Sequence, residues 1–381
     1  MQNFTYHNPT TLVFGRGTIV QLRDLIPTGK RILMTYGGGS IKANGVYDQV
    51  KRALRGRRLL EFGGIEPNPR YETLMKAVAV CRREQVDFLL SVGGGSVLDG
   101  TKFIALAARY QRGDPWDILS KHAPANQALP LGCVLTLPAT GSESNMFAVI
   151  SRESRREKLA FANPCVFPQF SVLDPTTNFS LPRRQVQNGI ADAFVHVIEQ
   201  YLTYPADAPL QDRQAEAILK TLIEEGPRVL QRPRDYNARA NLVWCATQAL
   251  NGLIGCGVPQ DWTTHMIGHE LTAFYGLDHA QTLTLVLPAV WKHQKKAKTK
   301  KLVQYAERVW GVETGDKAGL AIQKTETFFR SLGMRTRLSE YGIEPGDFTE
   351  LAARFDERGI KLGERQRIGS RQVRQILEWC R

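Results

Sequence analysis

Two stretches of this 381-residue chain carry side chains whose types and spacing could hold an ion. In "IADAFVHVIEQ" (190–200), Asp192 and His196 are four residues apart in a helical pattern, which puts them on one face with β-carbons about 5–6 Å apart. Two explanations compete for this pair: an ordinary hydrogen-bonded couple on a solvated helix surface, or half of a metal site. In "HMIGHELTAFYGLDHAQTL" (265–283), His265 and His269 are again one turn apart, and His279 follows a Gly276-Leu277-Asp278 loop. Together the two stretches supply five candidate ligands, enough for a site of three histidines and one carboxylate with one group left over. That mixture of nitrogen and oxygen donors suits Fe²⁺ or Zn²⁺. Spacing alone does not choose between His265 and His269. Of the remaining histidines, His7 and His122 are peripheral and His293, beside Lys292, reads as a surface residue.

A second chemistry is written in two Gly-rich turns, "YGGGS" at 36–40 and "VGGGSVLDG" at 92–100. Neither matches G-x-G-x-x-G. The second runs from a strong strand pattern straight into a helix, where glycines let a ligand approach the backbone and unpaired N–H groups attract a pyrophosphate. Its plain alternative is a tight strand-to-helix turn. The first turn bears on cofactor choice. NAD-preferring sites commonly offer an acid to the adenosine ribose, but here Gly37, Gly38, Gly39 and Ser40 are followed by Lys42, with no acid before Asp48. A 2′-phosphate would meet Ser40, backbone N–H groups and Lys42, so the turn predicts NADP(H).

These groups need elements to position them. Up to about residue 180, β-rich runs (31–36, 58–64, 86–92, 131–138, 170–174) alternate with helical patterns (71–85, 97–110), as βα units do. The runs are apolar on both faces, which predicts a mostly parallel sheet covered by helices on both sides, a Rossmann-like α/β domain. After "DPTTNFSLP" (174–182) long helical patterns take over, at 183–203, 209–224, 235–252, 262–274, 280–293, 298–309, 315–332, 346–355 and 370–379. The expected organisation is therefore an α/β dinucleotide-binding domain over 1–180 and an α-helical, metal-binding domain over 181–381, with a cleft between them as the natural place for a site.

Composition excludes several classes. With 43% apolar and 23% charged residues the chain reads as globular, and no run approaches the roughly 18–20 apolar residues needed to span a bilayer. The start, "MQNFTYHNPTTLVFG", lacks the features of a secretory signal. The six cysteines show no C-x-x-C spacing and fit a reducing compartment, so the cytoplasm is the expected location. The net charge of +13 invites a nucleic-acid partner. Lysines and arginines are scattered, however, and the dense run "KHQKKAKTKK" (292–301) has no aromatic interleaving, so it reads as a solvated basic helix and no nucleic-acid partner is expected.

With motifs and elements in place, the sequence resembles the iron-containing (group III) alcohol dehydrogenase family, whose members pair a D-x-x-x-H helix with H-x-x-x-H and a further His ten residues later. The resemblance runs through "NPTTLVFGRG", "EPNPRYETL", "GGGSVLDGTKF", "TLPATGSESN", "GIADAFVHVIEQY" and "GHELTAFYGLDHAQTL", and is closest to bacterial NADPH-dependent aldehyde reductase and butanol-dehydrogenase-like members. It implies a dehydroquinate-synthase-like fold, with Asp192, His196, His265 and His279 on one divalent ion and His269 beside it as a supporting or proton-relaying catalytic group. It also implies cofactor contacts from Gly38 and Ser40 at the adenosine ribose, from Asn68, Gly94, Gly95, Ser96 and Asp99 around the phosphates and ribose, and from Thr136, Thr140, Asn145 and Lys158 toward the nicotinamide. Plain readings stand beside these: Asp99 as a carboxylate favoured in a first helical turn, and Thr136, Thr140 and Asn145 as turn residues. The implied reaction is hydride transfer between NADPH and an aldehyde in a homodimeric enzyme. Met146, Phe147, Leu253, Ile254, Pro259 and Trp262 form an apolar set that would favour aliphatic or aromatic substrates. A polyol or glycerol dehydrogenase, a lyase resembling dehydroquinate synthase and a basic nucleic-acid-binding protein are the competing readings.

Overall fold

Runs that are apolar on both faces form a parallel sheet. In the computed structural model, which describes residues 1–381 except 344, 345 and 347, one unit comprises His7–Pro182 and Pro233–Thr247. Its strands are β1 (Thr11–Phe14), β2 (Arg31–Tyr36), β3 (Arg58–Phe62), β4 (Phe88–Gly94), β5 (Leu131–Leu137), β6 (Phe147–Arg152), β7 (Glu157–Ala162) and β8 (Phe170–Leu173). Among the described residues, six of these make one sheet in the order β1-β8-β5-β4-β2-β3, every pair parallel. The strand period of two splits the core into two layers: Leu89 of β4 joins Leu33, Leu98 and Leu131, whereas Phe88, Leu90 and Val92 join Ile32, Met34 and Val172. Helices α1 (Leu22–Leu25), α2 (Ser40–Ala43), α3 (Val46–Ala53), α4 (Tyr71–Arg83), α5 (Gly95–Arg109) and α6 (Asp117–Ser120) complete the wound pattern.

The sequence expectation lacked β1 and the antiparallel β6–β7 hairpin. β1 is only four residues long, and the charged "RESRRE" turn hides the period of the hairpin.

The other unit, Met1–Tyr6 with Arg183–Arg232 and Gln248–Arg381, is helical. It is built from α7 (Arg183–Tyr201), α8 (Pro209–Gln231), α10 (Thr263–Tyr275), α11 (His279–Arg308), α12 (Lys317–Leu332), α13 (Thr349–Glu357) and α14 (Ser370–Glu378), while α9 (Tyr236–Ala249) begins in the α/β unit. Position 347 of the helix expected over 346–355 lies outside the described residues. α7 has no solvated face in its second half: Ile190, Phe194, Val195, Val197 and Ile198 are all fully buried, and the polar Asp192, His196, Glu199 and Gln200 are buried with them.

Two expectations need correction. α8 continues past 224 and through Pro227. The helices expected over 280–293 and 298–309 are one 30-residue helix, α11, with Pro288 inside it. The polar run 292–301 suggested a break because it interrupts the apolar pattern, but Lys298 and Lys301 are buried and ion-paired to Asp261 and Asp212. The run is thus not the uniformly solvated basic face expected from the sequence.

Candidate active site

The decisive observation about Asp192 and His196 is burial. They are 3% and 4% exposed on α7, so the surface-pair explanation fails. Two ionisable groups in an apolar helix core require compensation. His265 enters from the third position of α10 and His279 from the first position of α11. Asp192, His265 and His279 form a group whose donor atoms lie within 4.8 Å of one another. Around Asp192 Oδ1, His196 Nδ1 stands at 3.7 Å, His265 Nε2 at 3.9 Å and His279 Nε2 at 3.7 Å. These spacings are too long for hydrogen bonds. They are near the separation of about 3.4 Å expected between ligand atoms held at ~2.1 Å around a tetrahedral ion.

His196 Nδ1 and His265 Nε2 are buried and have no hydrogen-bond partner among the described residues. Burial, aided by the adjacent His265, holds the His196 imidazole well below its ordinary pKa, so it is neutral and can donate a lone pair. Donor chemistry and burial therefore fit one borderline divalent ion. His269, on α10 one turn beyond His265, is buried at the rim of the group, its ring 6.3 Å from that of His265 and 5.2 Å from that of His279. Trp262 sets its ring edge-on to His265 at 5.3 Å and gives the group an apolar neighbour.

Glu199 escaped the sequence reading. It follows His196 by three residues, so 192, 196 and 199 share one face of α7, and that i, i+4, i+7 spacing was the available signal. Its carboxylate contacts His265 Nδ1 through Oε2 and accepts the Thr264 N–H through Oε1 at 2.6 Å. Burial raises the Glu199 carboxyl pKa, an effect opposed by His265.

In the α/β unit, β4 passes into α5 at Gly94 and Gly95 with no intervening residue. A β-carbon on Gly94 would lie 2.9 Å from Leu137 Cβ, and one on Gly95 would lie 2.5 Å from Thr140 Oγ1. These glycines are thus demanded by the packing of the turn on β5 and its loop, besides whatever ligand approaches them. Ser96 follows in the first turn of α5. Asp99 is buried, accepting from Ser142 Oγ (2.7 Å) and the Val149 N–H (3.0 Å).

Lys102, one turn on, was not anticipated. Its Nζ lies 2.7–3.0 Å from Ser142 O and Oγ, Asn145 O and Oδ1, and Phe147 O, acceptors that share its three N–H groups. Burial lowers its pKa to about 8. Asn145 Nδ2 also donates to Gly141 O at 2.9 Å. The side chains of Asp99 and Asn145 therefore brace the 140–147 loop, in which Thr140 Oγ1 accepts from the Ser142 N–H at 3.2 Å. Thr136 is buried on β5. Lys158, on β7, donates to Asn68 Oδ1 at 2.9 Å, and Asn68 adopts a left-handed backbone (φ 55°) that asparagine tolerates.

Gly38 and Ser40 lie where β2 gives way to α2. Lys42 Nζ stands 5.2 Å from the ring centres of both Tyr36 and Tyr47. The nearest strand-borne acid, Glu61 on β3, is already engaged by Tyr47 Oη (2.7 Å) and Lys51 Nζ (3.0 Å).

The likeness of this chain to known proteins runs along almost its whole length. Residues 9–175 match the family described as iron-containing alcohol dehydrogenase, and residues 186–380 match the C-terminal part of the Fe-containing alcohol dehydrogenase family. The chain is 56% identical to the NADPH-dependent aldehyde reductase YqhD of Escherichia coli (strain K12), with 100% of each chain covered. A crystal structure of that E. coli K-12 protein superposes with a TM-score of 0.98, covering 100% of this chain and 99% of the other. The NADH-dependent butanol dehydrogenase A of Thermotoga maritima is 36% identical, with a TM-score of 0.95 over 99% of this chain and 98% of its own. Likeness of this extent, running through both units, makes the chain a member of the iron-containing alcohol dehydrogenase family.

Proposed function

We propose that the protein is a metal-dependent, NADP(H)-linked aldehyde reductase and alcohol dehydrogenase acting on mostly apolar aldehydes. The observation that carries the reading is the buried convergence of Asp192, His265 and His279, with His196 beside the same carboxylate. NADPH-dependent aldehyde reduction is the activity of the E. coli relative. Asp192, His196, His265 and His279 would hold one Fe²⁺ or Zn²⁺. When bound, the cation polarises a carbonyl as a Lewis acid and NADPH supplies hydride.

The rest falls to the chain. Asp192 offsets part of the cation's charge in the helix core, and the His196 and His265 rings lend nitrogen donors. Trp262 keeps water from one side of the group and favours an apolar substrate. We assign to His269 the role of holding a proton for the substrate oxygen. On the cofactor side, Gly38, Ser40 and Lys42 would receive the adenosine ribose and its 2′-phosphate, and Asn68, Gly94, Gly95 and Ser96 the pyrophosphate and ribose. Thr136, Thr140 and Lys158 would line the nicotinamide end, with Asp99 and Asn145 acting through the loop they brace.

Elemental analysis of the purified protein, combined with NADPH and NADH rates across aldehydes of increasing length, tests the reading. A stoichiometric transition metal and faster turnover with NADPH are expected. Full activity in a metal-free sample would reject it, and preferential oxidation of glycerol would favour a polyol dehydrogenase.

A homodimer and a cytoplasmic location belong to the same proposal. In support of the dimer, the outer edge of β1 pairs with no strand among the described residues. Phe14 and Trp244, 40% and 43% exposed, stack edge to face beside that edge at 5.9 Å. Sedimentation equilibrium tests it, with a monomer rejecting the pairing. In support of the location, none of the six cysteines forms a disulfide, and no described helix is long and apolar enough to cross a membrane.

A further inference from the structure

We infer that Glu199 is a positioning residue of the metal centre: its carboxylate fixes His265 as the tautomer protonated at Nδ1, so that Nε2 is presented as the donor. This rests on reading Asp192, His196, His265 and His279 as the ligands. An imidazole has two distinct nitrogens, and which one offers a lone pair is set by what the other meets. His265 Nδ1 faces Glu199 Oε2, while Nε2 faces the Asp192 carboxylate at 3.9 Å with no hydrogen-bond partner among the described residues. A carboxylate can only accept, so the proton belongs on Nδ1.

Glu199 is itself immobilised. It is 4% exposed on α7, Oε1 accepts the Thr264 N–H at 2.6 Å, and its backbone carbonyl accepts the Asp261 N–H at 2.8 Å. α10 has no side-chain cap from the residue preceding it. Its second N–H is instead satisfied by Glu199 from another helix, at the end where the helix dipole favours an anion. One carboxylate thus ties the helix carrying Asp192 and His196 to the helix carrying His265 and His269.

The geometry yields a sharp substitution. Glu199→Gln is nearly isosteric, yet an amide cannot accept from both Thr264 N–H and His265 Nδ1–H. If its NH₂ faces the imidazole, it donates to Nδ1 and drives the proton to Nε2, removing the lone pair from the metal side. If its oxygen faces the imidazole, the NH₂ opposes the Thr264 N–H and both donors are left unsatisfied.

The experiment is Zn²⁺ binding by the metal-stripped full-length protein, measured by competition with a chromophoric chelator. Glu199→Gln is expected to bind Zn²⁺ about 10–100-fold more weakly than wild type. In addition, ¹⁵N-histidine spectra of the Zn²⁺-loaded wild type should show His265, assigned by the signal lost in His265→Asn, protonated at Nδ1. Unchanged Zn²⁺ affinity in a folded Glu199→Gln protein overturns the inference. Should that variant not fold, the wild-type spectrum decides alone, and a proton on Nε2 overturns it. A wild type that binds no divalent metal instead rejects the metal centre itself, a different result from either.

Discussion

Lys298 Nζ lies 2.9 Å from a carboxylate oxygen of Asp261, with both side chains almost wholly buried. The same ammonium group donates to Glu364 Oε2 at 3.0 Å and to Leu202 O at 2.7 Å. Asp261 in turn accepts the Thr263 N–H at 3.1 Å, so the pair holds the start of the helix that carries His265. Lys298→Met removes the cation and leaves Asp261 and Glu364 in the core without it, which should cost about 3–5 kcal/mol. Urea unfolding of the metal-free protein measures it, and a loss below about 1 kcal/mol would show the pair to be incidental. Adding Asp261→Asn to Lys298→Met should recover part of the loss, because the more deeply buried of the two stranded acids then disappears while Glu364 remains.

The same pair predicts a pH dependence. Burial pushes the Asp261 carboxyl up, but Lys298 and the hydrogen bonds it accepts outweigh that and hold it below the ordinary carboxylate value. A carboxyl whose pKa is lower in the folded than in the unfolded chain contributes stability above its unfolded pKa of about 4, and loses it as pH falls through the folded value. The stability gap between wild type and Lys298→Met should therefore shrink as pH falls, first as the acid left in the variant's core takes up a proton, because burial without Lys298 raises its pKa, and then below about pH 4 as Asp261 of the wild type does the same. Parallel urea titrations of the metal-free proteins at pH 5 and pH 3 check this, and a gap that widens in acid contradicts it.

His269 and Asp192 should part company when each is replaced. Asp192→Ala removes the single carboxylate around which the histidines are arranged, so the protein should lose its metal during purification and its activity with it. His269→Gln should keep near-stoichiometric metal while turnover falls by about 10²-fold, the scale of one proton-transfer group. Metal analysis beside steady-state rates separates the two. Loss of the ion from His269→Gln would move that residue into the ligand set.

Lys42 is the residue to change for cofactor choice. It sits against the rings of Tyr36 and Tyr47, while Glu61 is already satisfied by Tyr47 and Lys51. A cation set against a phosphate strengthens its binding. Part of that is screened at an exposed site, so Lys42→Ala should raise the KM for NADPH about 5–10-fold. The KM for NADH should stay within about twofold, because the 2′-phosphate is what Lys42 is proposed to meet. Equal effects on both cofactors would place Lys42 outside the 2′-phosphate site.

How legible was all this in the sequence? The parallel sheet was, because strands buried on both faces leave uninterrupted apolar runs such as "VDFLLSV". Of the histidine group, helical spacing showed that Asp192 and His196 share one face and that His265 and His269 share another, but the approach of Asp192 to His265 and His279 joins two separate stretches and is visible only in the fold. Glu199 was not, since an acid near the end of a helix has many ordinary explanations until its partner's ring is seen. Lys298 and Lys301 misled because a run of lysines reads as solvated, and only the arrangement of Asp261, Glu364 and Asp212 around it shows otherwise. Lys102 carried a faint signal, a cation beside the apolar run Phe103, Ile104 and Leu106 in the middle of a helix, but its acceptors are backbone and side-chain oxygens 40–45 residues away.

Gly95 separates the demands of packing from those of a ligand. A β-carbon there would stand 2.5 Å from Thr140 Oγ1 and 2.6 Å from Thr140 Cγ2, closer than nonbonded atoms approach. Since Thr140 belongs to the loop that Lys102 and Asp99 brace through Ser142, it cannot withdraw without disturbing those bonds. Gly95→Ala should therefore destabilise the protein by about 1–3 kcal/mol with no cofactor present. It should also weaken NADPH binding, because the displaced loop carries residues assigned to the nicotinamide end. Pairing it with Thr140→Ser, which deletes Cγ2 but keeps the hydroxyl, should relieve only part of the strain, whereas Thr140→Ala removes both clashing atoms. Urea midpoints of Gly95→Ala alone and with each partner give the order: the single variant lowest, Thr140→Ser intermediate, Thr140→Ala highest. If Gly95→Ala matches wild type in stability and loses only cofactor affinity, the glycine serves the ligand alone and the packing argument is wrong.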